Sequence, residues 1–436
     1  MIGEIKATVP AYAGIDFGTS NCTAGYLQQG EPTLWPLEAD SCYLSSALYI
    51  EKPPVDDEDE VKTPSLNQLL REQHPVYLGQ AAHQKYSQDP LGGVFIRSPK
   101  SMLGSRLTPA QTQVYEKVCA LMLKHIRQRA GGDALQYAVL GRPIHFQGID
   151  GAQGDDRAEA ILRAAAASVG FKDIQFAYEP VAAAIEYERT LSSEQKVLVV
   201  DIGGGTSDIS LVRLGPQLRQ QSCRTADLLG HAGRRIGGVD MDIKLAIYGL
   251  MPALGRGTLA QTGRPLPSAL FSDAVNIIDI QAQENFYQKA TAKTIATLIA
   301  DAQQPLLVER LLTLYRHHLS YYLVQQAEQA KIELASAAEH QVSLARLDAN
   351  LAMDLTADTL SQAIYVELNG IRKLVQDCLQ SAGSAPDQIF LTGGASAAAG
   401  VVGVLQQVLP ETPIMRGDRF GSVGKGLCSI AKQLYQ

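Results

Sequence analysis

Short apolar, β-branched runs that end at an acid or a glycine recur along the chain and set its layout. The clearest occupies residues 197–202 (Val-Leu-Val-Val-Asp-Ile) and resumes at 209–214 (Ile-Ser-Leu-Val-Arg-Leu), with Gly203, Gly204, Gly205 and Thr206 between. Runs this short and this rich in valine predict buried strands. The glycines permit a tight reversal that turns backbone N–H groups toward an anion, so the predicted element is a phosphate-holding β-hairpin. Residues 13–21 repeat its order of apolar residue, aspartate, apolar residue, glycine, threonine, serine and polar residue. One glycine turn after a strand is common; the pair predicts a duplicated chain. Two such hairpins facing each other would grip a phosphate chain, with Asp16 and Asp201 supplying negative charge for a hydrated Mg2+, an ion that prefers oxygen ligands and keeps waters.

Elsewhere strand and helix patterns alternate. Residues 78–85 read as the start of a helix and 94–100 as a strand ending in a turn. Thr108-Pro109 opens a helix by its cap and first-turn proline, running to about Arg129. A strand over 137–142 ends at Pro143, an alanine-rich helix over 155–169 stops at Gly170, and a strand over 174–178 leads to Glu179-Pro180 and another helix. That order puts Glu179 at the carboxyl end of a sheet, where α/β proteins bind ligands, although a carboxylate there also serves as a helix cap. Arg235 to Asp240 carries a second glycine pair before a helix, and 250–267 reads as a glycine- and proline-rich loop. One long helical stretch is predicted from Pro305 past Leu334, with Glu328, Lys331 and Ala335 on one face, either over a ribose or as a surface ion pair. Residues 388–394 form a strand ending in Gly393-Gly394, where a flat base has room to approach.

Two signals are set aside. Gly421 to Lys425 fails the G-x-x-x-x-G-K-[ST] phosphate-loop spacing. His317-His318, adjacent within the predicted long helix, cannot turn both rings to one metal and reads as structural.

Composition narrows the classes. At 436 residues the chain exceeds the size of a single core, so two to four lobes are expected. The net charge of -7 argues against a general nucleic-acid or anionic-membrane surface. Six cysteines without C-x-x-C spacing fit free thiols in a reducing compartment. Glu4 and Lys6 interrupt any signal-peptide pattern, and no apolar run approaches the ~18 residues of a membrane span. The expectation is a cytoplasmic protein with neither nucleic acid nor membrane as partner. The acidic run within 51–75 reads as a solvated insertion.

Six segments in register resemble the actin-like ATPase superfamily and, within it, the nucleotide-binding part of the seventy-kilodalton heat-shock (DnaK-type) chaperones. They are residues 14–21 (Gly-Ile-Asp-Phe-Gly-Thr-Ser-Asn), 178–185 (Tyr-Glu-Pro-Val-Ala-Ala-Ala-Ile), 200–208, 236–240 (Ile-Gly-Gly-Val-Asp), 327–334 (Ala-Glu-Gln-Ala-Lys-Ile-Glu-Leu) and 391–394 (Leu-Thr-Gly-Gly). The tail 417–424 resembles a YegD-type branch. The resemblance implies an α/β fold of duplicated ribonuclease-H-like domains: one lobe over 1–190 and a second over 191–436, with an enlarged helical subdomain at 239–335 and ATP or ADP with Mg2+ in the central cleft. It implies that Gly18, Thr19, Ser20, Asn21, Gly203, Gly204, Gly205 and Thr206 hold the phosphates, and that Asp16 and Asp201 hold the metal through water. Glu179 and Asp208 would orient the attacking water or the waters of the metal. Glu328, Lys331 and Ile332 would line the ribose and adenine pocket, with Gly238, Gly393, Gly394, Ala395 and Asp418 completing it, and Pro143 would relay nucleotide state.

The sequence departs from that family in places. His83 stands where the resemblance places a lysine near the γ-phosphate, with Lys85 two residues on, which predicts slow or pH-dependent hydrolysis. Ala335, Ala395 and Ala397 replace polar residues near the base. The chain given ends at Gln436 without a β-rich peptide-binding domain, so the expected activity is a nucleotide-driven switch, monomeric by default, acting on a protein partner through the enlarged lobe. A sugar-type kinase and an ATP-dependent filament former are the alternatives.

Overall fold

The computed structural model describes residues 10–53, 66–146, 151–219, 225–417 and 421–436. Most of the acidic run, Cys223 and Asp418 therefore lie outside the described residues.

The first half begins with β1 (Tyr12–Phe17), β2 (Asn21–Gln28), β3 (Glu31–Leu34) and the short β4 (Leu44–Ser45). Next come β5 (Ala47–Glu51), α1 (Leu66–Arg71), β6 (Val76–Leu78), α2 (Gln80–Gln88) and β7 (Gly93–Arg97), the three strands pairing as a small sheet in the order β6-β5-β7. α3 (Pro109–Ala130) starts where the sequence signals it: Thr108 Oγ1 accepts the Gln111 N–H and the Gln111 side chain accepts the Thr108 N–H, closing a capping box. Then follow β8 (Tyr137–Arg142), α4 (Ala152–Ser168), β9 (Asp173–Tyr178) and α5 (Glu179–Glu188).

The second half opens with β10 (Gln195–Ile202), β11 (Ser207–Leu214), β12 (Leu228–Arg234) and α6 (Gly238–Leu245). Helices α7 (Ala269–Asp273), α8 (Ile280–Phe286), α9 (Lys289–Asp301), α10 (Pro305–Arg316) and α11 (Ser320–Glu333) follow, with the hairpin β13 (Glu339–Ser343) and β14 (Ala352–Thr356). The chain closes with α12 (Ala357–Ala363), α13 (Tyr365–Ala382), β15 (Gln388–Thr392), α14 (Val401–Val408), β16 (Ile414–Arg416) and α15 (Ser422–Tyr435).

The two main sheets have the same plan. The first runs β3-β2-β1-β8-β9, with β4 paired to β2; the second runs β12-β11-β10-β15-β16. In each, an antiparallel hairpin (β1/β2, β10/β11) is continued by strands parallel to its first member. The duplication inferred from the two glycine turns is thus repeated in topology.

Chain order and packing part company at the end. Helix α15 returns to the first sheet, packing on β1, β2 and β8 and against α5, and Tyr435 donates to Asp173 Oδ2 at 2.8 Å. Between the sheets it joins a core formed by Tyr12, Val139, Ala183, Val199, Phe390 and Leu427. The helices approach so closely that a Cβ on Gly426 would lie 1.8 Å from the Ala182 carbonyl oxygen.

Two expected elements differ in the structure. The long helix from Pro305 is two helices, broken at His317-His318, where His318 takes a left-handed φ of 51° and its ring stacks on Tyr287 at 4.0 Å. Burying both the α10 face and the α11 face in one core requires a change of direction that a straight helix cannot supply. The segment 250–267 is no free loop: Leu254, Ala260 and Leu266 are buried, and Gln261 N–H donates to Asp301 O at 2.7 Å. Its glycines shape turns inside the helical subdomain, so removing 253–267 would remove core.

The crossing of α5 and α15 is testable. Gly426→Val should lower the urea-unfolding free energy by on the order of 3 kcal/mol or more, since backbone cannot yield to the new side chain. Gly403→Ala, at an exposed position of α14 with nothing within 4 Å of its Cβ position, should be neutral or gain up to about 1 kcal/mol. Equal stability of the Gly426 variant and wild type would mean the two helices are not locked together.

Candidate functional site

The two hairpin turns meet between the sheets. A Cβ on Gly204 would fall 1.8 Å from Ser20 Oγ, so only glycine lets the second turn approach the first this closely. The second turn is held from behind: Gly238 N–H donates to Gly203 O at 2.9 Å and Val239 N–H to Gly204 O at 2.8 Å. The Asp240 carboxylate accepts the Gly237 N–H at 2.9 Å, fixing the start of α6 against the turn. These elements border a cleft of about 180 Å³.

Acid groups crowd its floor. Asp16 closes β1 opposite Thr23, and Asp201 occupies the equivalent place on β10 opposite Asp208. Glu179 joins them from the start of α5. Burial first, then repulsion from Glu179, raises the Asp16 and Asp201 carboxyls to about 8; burial and Glu179 raise Asp208 to about 7. The counter-charge is Lys100, only 5% exposed, whose ammonium pairs with Glu179. Burial works against that ammonium, but Glu179 and Asp16 outweigh it and raise the lysine above its usual value.

Lys100 corrects the reading of His83. It sits on a one-turn helix, Pro99–Met102, directly after β7. His83 does not line the cleft; its Nε2 lies 3.0 Å from Ser45 Oγ, its ring packs edge-on to Phe95, and burial together with Arg97 lowers it to about 4. Lys85 pairs with Glu51 at 2.6 Å, away from the acids. The usable sequence signal was the strand-then-turn pattern at 94–100, which delivers a basic residue as the other strand ends deliver acids.

The upper wall comes from α11. Glu328 and Lys331 both face the cleft, and each is already paired: Glu328 with Arg97 of β7 at 2.7 Å, Lys331 with Asp242 of α6 at 2.6 Å and with the Gly238 carbonyl at 3.2 Å. Burial raises Glu328, but Arg97 and Lys331 prevail and hold it below its usual value. Burial lifts Asp242 to about 6 despite Lys331. Neither Arg97 nor Asp242 was picked out from sequence. Ile332 stands 56% exposed on the same wall, facing Gly393, Gly394 and Ala395 after β15.

The cleft thus gathers Asp16, Gly18, Thr19, Ser20, Asn21, Glu179, Asp201, Gly203, Gly204, Thr206 and Gly238 with the α11 and β15 groups just named. Asp208 is buried behind it, Gly205 borders the far side of the turn with Ser98 and Arg235, and Ala335 lies beyond the end of α11. Thr392, Ser422 and Val423 also line it, the last two brought in by α15. Among the described residues no three His, Cys, Asp or Glu side chains cluster tightly enough to cage a metal. A carboxylate-rich floor of this kind suits a cation that keeps its waters.

Comparisons with known proteins found a family profile and several relatives that match this chain. The profile of the MreB/Mbl protein family matches residues 117–230. The chaperone protein DnaK of Thermus thermophilus is 23% identical over 439 residues, covering 92% of this chain and 57% of the relative. DnaK of Endomicrobium trichonymphae is 28% identical over 247 residues, covering 54% of this chain and 34% of the relative. The matched chain thus spans a little more than half of the first relative and about a third of the second. With two sheets of one plan, paired hairpin turns and an acid at the end of each leading strand, the chain has the actin-like ATPase fold.

Proposed function

We propose that the chain binds ATP or ADP with Mg2+ between its two sheets and hydrolyses ATP slowly, as a switch. The observation that carries this reading is the meeting of both hairpin turns and their strand-end aspartates in one cleft, with Lys100 paired to Glu179 of its lining. The turn residues Thr19, Ser20, Asn21, Gly203, Gly204 and Thr206 offer hydroxyls and N–H groups to the phosphates. Bound through water to Asp16 and Asp201, Mg2+ would neutralise charge on the phosphate oxygens. Lys100 sets an ammonium beside the transferred phosphoryl, and Glu179 and Asp208 orient the water that attacks it, breaking the bond to the ADP oxygen. Glu328 and Lys331 meet the ribose, and Ile332 with Gly393 to Ala395 flanks the base; Asp418 belongs to this proposed set but lies outside the described residues.

Both lobes contribute to that ligand, so its state biases the angle between them, with α5 and α15 as the crossing point. The DnaK relatives are named as chaperones, and on that likeness the switch acts on a protein partner in the cytoplasm. A filament-forming ATPase is the second reading, favoured by the MreB/Mbl match over 117–230; sedimentation on ATP addition separates the two.

Calorimetric titration with MgATP and MgADP, paired with phosphate release, tests the reading. Wild type should bind both and release phosphate into water, and Asp201→Asn should lose release. Absence of binding by wild type would refute it. Lys100→Ala should slow release by about a hundredfold, the scale of losing one charge-stabilising group, whereas His83→Gln should leave it near wild type. A large His83 effect with an indifferent Lys100 would reverse the assignment of the phosphate-side cation.

A further inference from the structure

The turn that carries Lys100 has a second face. Ser98, Pro99, Ser101 and Met102 border a separate cavity of about 310 Å³ between the lobes. Its walls are aromatic: Phe95 stacks on Tyr86 at 4.8 Å and meets Tyr321 edge-on at 4.9 Å, while Tyr115 and Tyr287 add two further rings. A narrow gap bordered by Thr19, Ser98, Ser101, Val239 and Ile278 separates this chamber from the phosphate turns.

Two residues of the lining each carry a buried side-chain oxygen without a partner among the described residues, Ser98 (Oγ) from the first lobe and Gln283 (Oε1) from the second. Gln283 Nε2 already donates to Asp273 O at 2.8 Å, which leaves Oε1 as an acceptor. Ser98 N–H donates to Ser46 O at 2.8 Å and Ser98 O accepts from Ser101 Oγ, so the hydroxyl alone is unused. Ser98 is also held at a left-handed φ of 55°, a strained place for a residue with a side chain. Buried polar atoms are costly to leave unpaired, and a mostly apolar chamber with a few placed polar groups is how small-molecule sites are built.

We propose that this chamber is a second ligand site, taking a small flat aromatic molecule that donates one hydrogen bond to Gln283 Oε1 and accepts one from Ser98 Oγ. Such a ligand spans the lobes and touches the turn that carries Lys100. The site stands independently of the nucleotide reading, because its evidence and its test involve no nucleotide.

The test is titration of the full chain, without nucleotide, with three probes of this chemistry: 7-hydroxycoumarin, 5-hydroxyindole and 4-hydroxyquinoline, followed by fluorescence and calorimetry. At least one should saturate at one molecule per chain. Gln283→Leu and Ser98→Gly should each weaken it by roughly tenfold, the loss of one buried hydrogen bond, and Met102→Trp should abolish it by filling the space, with thermal unfolding checking that each variant is folded. Should Met102→Trp not fold, the two polar variants decide alone. Failure of all three probes to saturate, or binding indifferent to both polar variants, overturns the proposal.

Discussion

One buried ammonium is set against the crowded acids at the centre of this molecule. Lys100 faces Glu179 directly, with Asp16, Asp201 and Asp208 close enough to repel one another. Burial penalises every charged form here, and the carboxyls rise toward neutrality because one cation cannot balance them. A cluster with surplus negative charge is poor as a stability device, since desolvation consumes most of what pairing returns. It is well suited to attracting a hydrated divalent cation. The sheets, turns and helix starts can be understood as scaffolding that brings these acids to one point from two lobes.

Duplication explains how the acids converge. Each lobe ends its leading strand in an aspartate and reverses through a glycine turn, so the lobes present matching groups from opposite sides. Helix α15, last in sequence, rests on the first sheet and brings Ser422 and Val423 to the cleft. The chain therefore crosses between lobes twice, at α5 and at α15.

Above the cleft the lobes are joined by charge and by rings. Arg97 reaches from β7 to Glu328 on α11, and Tyr86 of α2 donates to the His318 carbonyl at the break between α10 and α11. The break is thus part of the lobe contact, because ending α10 there frees a carbonyl for the opposite lobe. The aromatic chamber opens beneath these contacts, bordered by the same β7 strand and by Tyr321 of α11.

Both hairpins, the helix starts at Thr108 and Glu179 and the glycine pairs at 237–238 and 393–394 were legible in the sequence. Each depends on neighbours within a few residues: a glycine that permits a turn, a proline in a first helical turn, an apolar run long enough for one strand. Charge partners were not legible. Lys100 finds Glu179 across 79 positions and Arg97 finds Glu328 across 231, so no local spacing could favour them over His83 or Lys85. The same limit applied to 250–267, whose glycines and prolines describe turns whether or not the leucines between them are buried. Local chemistry determined which elements form and where they turn; only tertiary packing decided which side chains lose water together, and that shared burial determines their charge and their partners.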